Sequence, residues 1–158
     1  MLDYLPESFL WGIDNLRDFS GVLAFDKWTC NANGRQAVFW RKAGGRGYRA
    51  AFVDQGYCFN NGEWAFRDTP LRGVYSSNRA YADVTGWGSF EPWLPRIEKL
   101  RESVVWQIAD QVPPEWYGGE WETLEKLLET LLRRCSRVRE LITDFRKSSR
   151  QPFPAWED

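Results

Sequence analysis

The sequence predicts an α+β fold, mostly helical, in which one small β-hairpin precedes long C-terminal helices. Three observations carry this. The β-rich runs "RQAVFWRK" and "GYRAAFVD" flank the glycine loop "AGGR" and read as a hairpin. From Trp121 the positions Leu124, Leu127, Leu128, Leu131, Leu132, Cys135, Val138, Leu141, Ile142 and Phe145 repeat at i, i+3, i+4, i+7 for about seven turns, as one amphipathic helix would. The chain has 158 residues, 43% of them hydrophobic, which suits one ordinary domain with its own core.

The elements follow in order. Residues 1–20 hold Pro6, Gly12 and several capping residues, so they read as a leading segment of loop and short helices. From Asp18 to Cys30 the residues Phe19, Val22, Leu23, Phe25 and Trp28 recur at helical spacing, and the helix should end near Asn31. "NANG" breaks it, and the hairpin comes next. "DQGYCFNNGEW" returns to turn chemistry, and "DTPLRGVYSSNRAYADVTGW" suggests short helices separated by Gly73 and Gly86. A Ser89 cap then opens a helix with Trp93, Ile97, Leu100, Val104 and Ile108 on one face, and "PPEWYGGE" ends it. On the long helix from Trp121 the residues Arg133, Arg134, Arg137 and Arg139 are expected on the solvated face. The tail, 149–158, has two prolines and two aromatics and is expected to dock in extended form. No repeat or linker divides the chain, so 1–158 reads as a single domain.

Composition excludes several function classes. A net charge of -1 gives no basic footprint for nucleic acid. No apolar run reaches the roughly 18 residues that span a bilayer, so a soluble protein is expected. Three widely spaced cysteines, Cys30, Cys58 and Cys135, fit neither a disulfide framework nor a CxxC metal site and point to a reducing, cytoplasmic setting. They are expected to be buried small apolar groups. The chain has no histidine, which removes Ser-His-Asp and Cys-His catalysis and the commonest zinc ligand. Chemistry must rest on carboxylates, amides, hydroxyls, amines or a bound metal. Ten tryptophans suit core packing; a carbohydrate-binding face rests on their number alone, and the long C-terminal helices oppose its usual β-sandwich.

One constellation remains. In "AAFVDQG" Asp54 stands directly after a β run with glycine two residues on, a carboxylate at a strand end, where it can hold magnesium. Upstream, "FDKWTCNANGRQAVFWRK" supplies an acid and amides in a polar loop. The order helix, polar loop, hairpin, Asp-x-Gly is the order used in kinase-like phosphoryl transfer. The plain alternative is a loop and a hairpin, with Asp26 a surface or capping acid and Asn31 and Asn33 turn residues beside Gly34. Arg35 and Lys42 either meet phosphates or flank the hairpin.

These stretches, with "GEWAFRDTPLRGVY", "VTGWGSFEPWL" and "PPEWY" before a long helix, resemble the HipA-like kinases, a bacterial group with a protein-kinase-like fold. The resemblance runs from about Tyr4 onward and reaches only that family's C-terminal part. It implies a C-lobe, ATP and Mg2+ as cofactors, and transfer to a Ser or Thr hydroxyl. The partner is then a protein substrate, or a separate N-lobe chain bearing the nucleotide-clamping lysine and phosphate loop. Carried over by residue, Asp54 matches the metal-binding acid. The catalytic loop has two registers. In one, Asp26 is the base and Asn31, five residues later, the metal-binding amide. In the other, Asn33 stands where the proton acceptor should be Asp, Arg35 replaces a His, and Gln36 is the nearest cofactor-facing amide. The second is preferred, because Trp28 and Asn31 fall in place and Asp26 would otherwise sit within a helix. An Asn cannot accept the proton as a carboxylate does, so this register implies a weakened kinase or a pseudokinase, a kinase-derived binding or regulatory module without chemistry.

Overall fold

The computed structural model describes residues 2–3, 5–41 and 43–157. The fold is α+β, with helices predominating around one two-stranded antiparallel sheet among the described residues. Lys42, named above as a possible phosphate contact, lies outside the described residues. No helix among those described is long and apolar enough to cross a membrane.

After the short α1 (Glu7–Leu10), helix α2 (Asp18–Thr29) forms the axis of the domain. Phe19, Leu23 and Ala24 are fully buried, and so, nearly, are the polar Ser20, Asp26, Lys27 and Thr29, so α2 is covered on more than one side. Gly21 is required here: a side chain at this position would occupy the space of the Trp93 ring, which lies on the helix backbone. The helix ends where expected, on Cys30 in a left-handed conformation, φ 52°.

Strands β1 (Gln36–Trp40) and β2 (Arg49–Val53) pair with Gln36 opposite Val53 and Trp40 opposite Arg49, the predicted hairpin. Alternation puts Ala37, Phe39 and Ala50 into the core. A turn of 3-10 helix (Gln55–Tyr57) and the four-residue α3 (Cys58–Asn61) follow, and Phe59 and Asn60 inside α3 have left-handed backbones. Short 3-10 helices form at Asn78–Tyr81, between Gly73 and Gly86, and at Trp87–Phe90, directly after Gly86.

Two predicted helices are each divided. The segment after Ser89 forms α4 (Trp93–Glu98) and α5 (Glu102–Ala109), separated by an extended Arg101. A continuous helix would keep its apolar residues on one line. The break instead lets α4 pack on α2 through Leu94 while α5 turns to α6 and buries Val105 and Ala109, leaving Ile108 exposed. Likewise α6 (Trp121–Arg134) and α7 (Val138–Arg146) are joined by a 3-10 turn, Cys135–Arg137. The tighter winding shifts the phase of the apolar stripe. Leu124, Leu127 and Leu131 enter a small cluster with Trp28, Phe59, Trp64 and Phe66, whereas Val138, Ile142 and Phe145 enter the main core.

The predicted solvated face of this helix pair needs one correction. Arg134 is buried. Its guanidinium donates to both oxygens of Asp68, at 2.8 and 2.7 Å, and to the carbonyls of Trp28 and Lys27, at 2.7 and 2.6 Å. These carbonyls belong to the last turn of α2, which leaves acceptors without intrahelical partners, so Arg134 serves as a remote C-terminal cap. Spacing along its own helix does not disclose this. The tail docks as expected: Phe153 is buried against Tyr81, Phe90 and Phe145, and Trp156 stacks on it at 5.6 Å. It does so through a turn at residues 154 and 155 rather than fully extended. All three cysteines are buried and free.

Candidate functional site

The end of α2 and the strand that follows are tied by a buried ionic knot. Asp26 Oδ2 accepts from Arg35 Nε at 2.8 Å, and Oδ1 accepts from Arg35 Nη2 and, at 2.9 Å, from Asn31 Nδ2. Arg35 Nη1 also donates to the Val53 carbonyl at 2.6 Å, so one guanidinium joins the helix to the open end of the hairpin. Neither charged side chain has any exposed surface. Burial pushes the Asp26 carboxyl up, while the Arg35 guanidinium and the Asn31 amide oppose that shift. Asp26 thus lies inside the fold, on α2, with its carboxylate fully enclosed. Asn31 is engaged at both ends, its Oδ1 accepting from the Asn33 backbone N–H at 3.0 Å.

Glycine closes the knot from the other side. Gly73 has φ +67°, and a Cβ there would lie 2.7 Å from the Asp26 Cβ and 3.4 Å from the Asn31 Cβ. The 30–35 loop is further stitched to its surroundings by Ala32 N–H to Tyr57 O, Gly73 N–H to Asn33 O and Arg35 N–H to Val74 O. Adjacent on α2, the buried Lys27 ammonium donates to the carbonyls of Pro70 and Arg72 at 2.8 and 2.7 Å. Burial lowers its pKa from 10.5 to about 8, against the pull of Asp26 and Asp68.

Above this knot the hairpin presents its polar end. Gln36 opens β1 and Asp54 follows β2, both exposed, with Gln36 Nε2 donating to Asp54 Oδ2 at 2.7 Å. The sharp turn predicted at Asp-x-Gly falls on the acid itself: Asp54 is left-handed, φ 63°, a conformation that Asp tolerates better than most residues. Asn33 is half-buried at the mouth of a neighbouring pocket, with its Oδ1 accepting from the Gly34 N–H at 2.9 Å.

The structure therefore brings Gln36 and Asp54 into contact and separates them from Asp26 and Asn31, which hold the loop from within. Among the described residues no three Cys, Asp or Glu side chains gather as a metal cage. One carboxylate and one amide are nonetheless a hard-oxygen donor pair of the kind that serves Mg2+, which retains waters and takes its remaining oxygens from phosphates. Burial raises the Cys30 and Cys58 thiols, which argues against nucleophilic roles. The sequence gives no signal for Asp68, Lys27 or Arg134 as a set, since their partners are backbone carbonyls and residues far along the chain.

Comparison of the chain with protein-family models, curated proteins and solved structures finds no match.

Proposed function

We propose that this chain is a HipA-like kinase C-lobe that supplies the metal-facing side of a magnesium–ATP site, for phosphoryl transfer to a Ser or Thr hydroxyl. The observation that carries this reading is the exposed Gln36–Asp54 pair at the open end of a rigidly anchored hairpin. Asp54 would hold the magnesium and Gln36 would orient the Asp54 carboxylate. Bound there, the metal would neutralise charge on the phosphates during transfer. Asp26, Arg35 and Asn31 act by positioning, fixing the 30–35 loop against β2.

Asn33 favours a second reading, a kinase-derived module without chemistry that works with a separate N-lobe chain. Its amide has no basic lone pair for the hydroxyl proton, and its oxygen is turned to its own loop. Both readings keep the nucleotide side of the site and differ in turnover.

Calorimetry of ATP with and without magnesium tests the shared claim, using wild type and Asp54→Asn. Asn preserves the left-handed backbone that Ala would strain. The expected result is metal-dependent binding that the variant loses, with a melting temperature close to that of wild type because residue 54 is exposed. Equal binding by both proteins, or none by either, rejects the site.

A further inference from the structure

A polar pocket of about 320 Å3 adjoins the 30–35 loop, on the side where Asn33 is half-buried. Its lining includes Asn33, Tyr57, Asn60, Asn61, Arg67 and Arg72. We infer that this pocket receives an acidic segment of the protein acceptor, held through its oxyanions by Arg67 and Arg72. The inference rests on the kinase reading for what passes Asn33, and on the pocket alone for the charge it selects.

Four features lead to an acidic occupant. First, the Arg67 guanidinium is exposed and has no hydrogen-bond or ion-pair partner among the described residues. Arg72 donates only Nη1, to the Arg67 carbonyl at 2.8 Å. Guanidinium groups with free N–H edges match carboxylate or phosphate oxygens in paired hydrogen bonds. Second, Asn33 adds a donor, because its Oδ1 is occupied by the Gly34 N–H and its Nδ2 is left for a ligand. Third, the nearby acid that would otherwise quench the arginines is already consumed: Asp68 is bound by Arg134 and Arg137. Glu63, the acid of the pocket itself, accepts from Asn60 Nδ2 at 2.8 Å and leaves two cations against one anion.

Fourth, the walls are preset. Ala32 N–H to Tyr57 O and Asn60 N–H to Cys30 O join the two sides of the pocket, so little ordering remains at binding. Phe59, Asn60, Asn61 and Trp64 hold left-handed backbones, with φ between 55° and 60°, conformations that non-glycine residues keep only where their surroundings enforce them. A lysine-rich segment would meet two like charges, with Glu63 as the one acid of the pocket to offset them. Selection thus operates by repulsion as well as attraction.

The test is fluorescence anisotropy on the full chain, without nucleotide, using a serine peptide flanked by glutamates and the same peptide flanked by lysines. The acidic peptide is expected to bind about tenfold tighter or more, the worth of a charge-assisted hydrogen bond, and to weaken as salt rises. Arg67→Glu should erase the preference and Arg67→Lys should keep most of it; residue 67 is exposed, so both variants should fold. Equal binding of the two peptides, binding of neither, or an unchanged preference in Arg67→Glu overturns the inference. So does an Arg67→Glu protein that loses magnesium–ATP affinity and keeps the peptide preference, since the pocket would then serve the nucleotide. Magnesium–ATP binding to wild type, measured separately, reports on the kinase reading alone. Acid-selective binding without it would leave an acidic-peptide module and remove the kinase.

Discussion

Asp26→Asn separates a structural role from a catalytic one. The substitution keeps the shape of the side chain and removes its charge, leaving the Arg35 guanidinium, which has no exposed surface, without a counter-ion. Removing one partner of a buried pair costs about 3–5 kcal/mol. At about 2–4 °C per kcal/mol for a chain of this size, the melting temperature should fall by roughly 6–20 °C. Urea unfolding followed by far-UV circular dichroism gives the free energy directly. The double variant Asp26→Leu with Arg35→Met replaces the pair by apolar groups and should recover most of the loss, because the cost arises from the orphaned charge. If Asp26→Asn lowers stability by less than about 1 kcal/mol, the ionic knot does not hold the loop. If it also abolishes phosphoryl transfer with the fold intact, Asp26 is the base.

Lys27 makes stability depend on pH. Its folded pKa, about 8, lies below the ordinary 10.5, so between these values the unfolded chain holds a proton that the folded chain has released, and stability attributable to Lys27 rises with pH. Below about pH 8 the group costs about 3 kcal/mol relative to an unperturbed lysine. The difference between wild type and Lys27→Met in urea unfolding should therefore change in favour of wild type from pH 8 to 10, and a constant difference refutes this. Gly73→Ala must place a Cβ against Asp26 in a left-handed backbone and should cost about 1–3 kcal/mol by the same assay. A neutral result would mean that the 73 loop yields freely. In a phosphoryl-transfer assay Asn33→Asp should raise the rate about a hundredfold or more, the usual worth of a general base, while equal rates would reject position 33 as the proton-accepting site.

Much of the fold was legible because it depends on local pattern. The hairpin follows from β-rich runs around "AGGR", and the end of α2 from the breaker cluster after Cys30. The division of the two C-terminal helices was not legible, since Leu124 and Ile142 share a periodic stripe yet serve different clusters. In the candidate site, Asp54 was visible at a strand end, and its contact with Gln36 followed only once the strand register was fixed. Arg134 was misplaced on the solvated face because its partners, Asp68 and the α2 carbonyls, are remote in sequence.

Composition and short-range periodicity fix the class of the fold, the hairpin, the lack of histidine and the polar character of the 31–36 loop. Which polar residues are interior and which are available depends on long-range packing. Asp26 and Asn31 could face a ligand or each other on sequence grounds alone. Burial beside Arg35 turns them inward, because a charge inside the fold must be paired, whereas Asp54 and Gln36 lie at the exposed end of the same hairpin and remain open to a ligand.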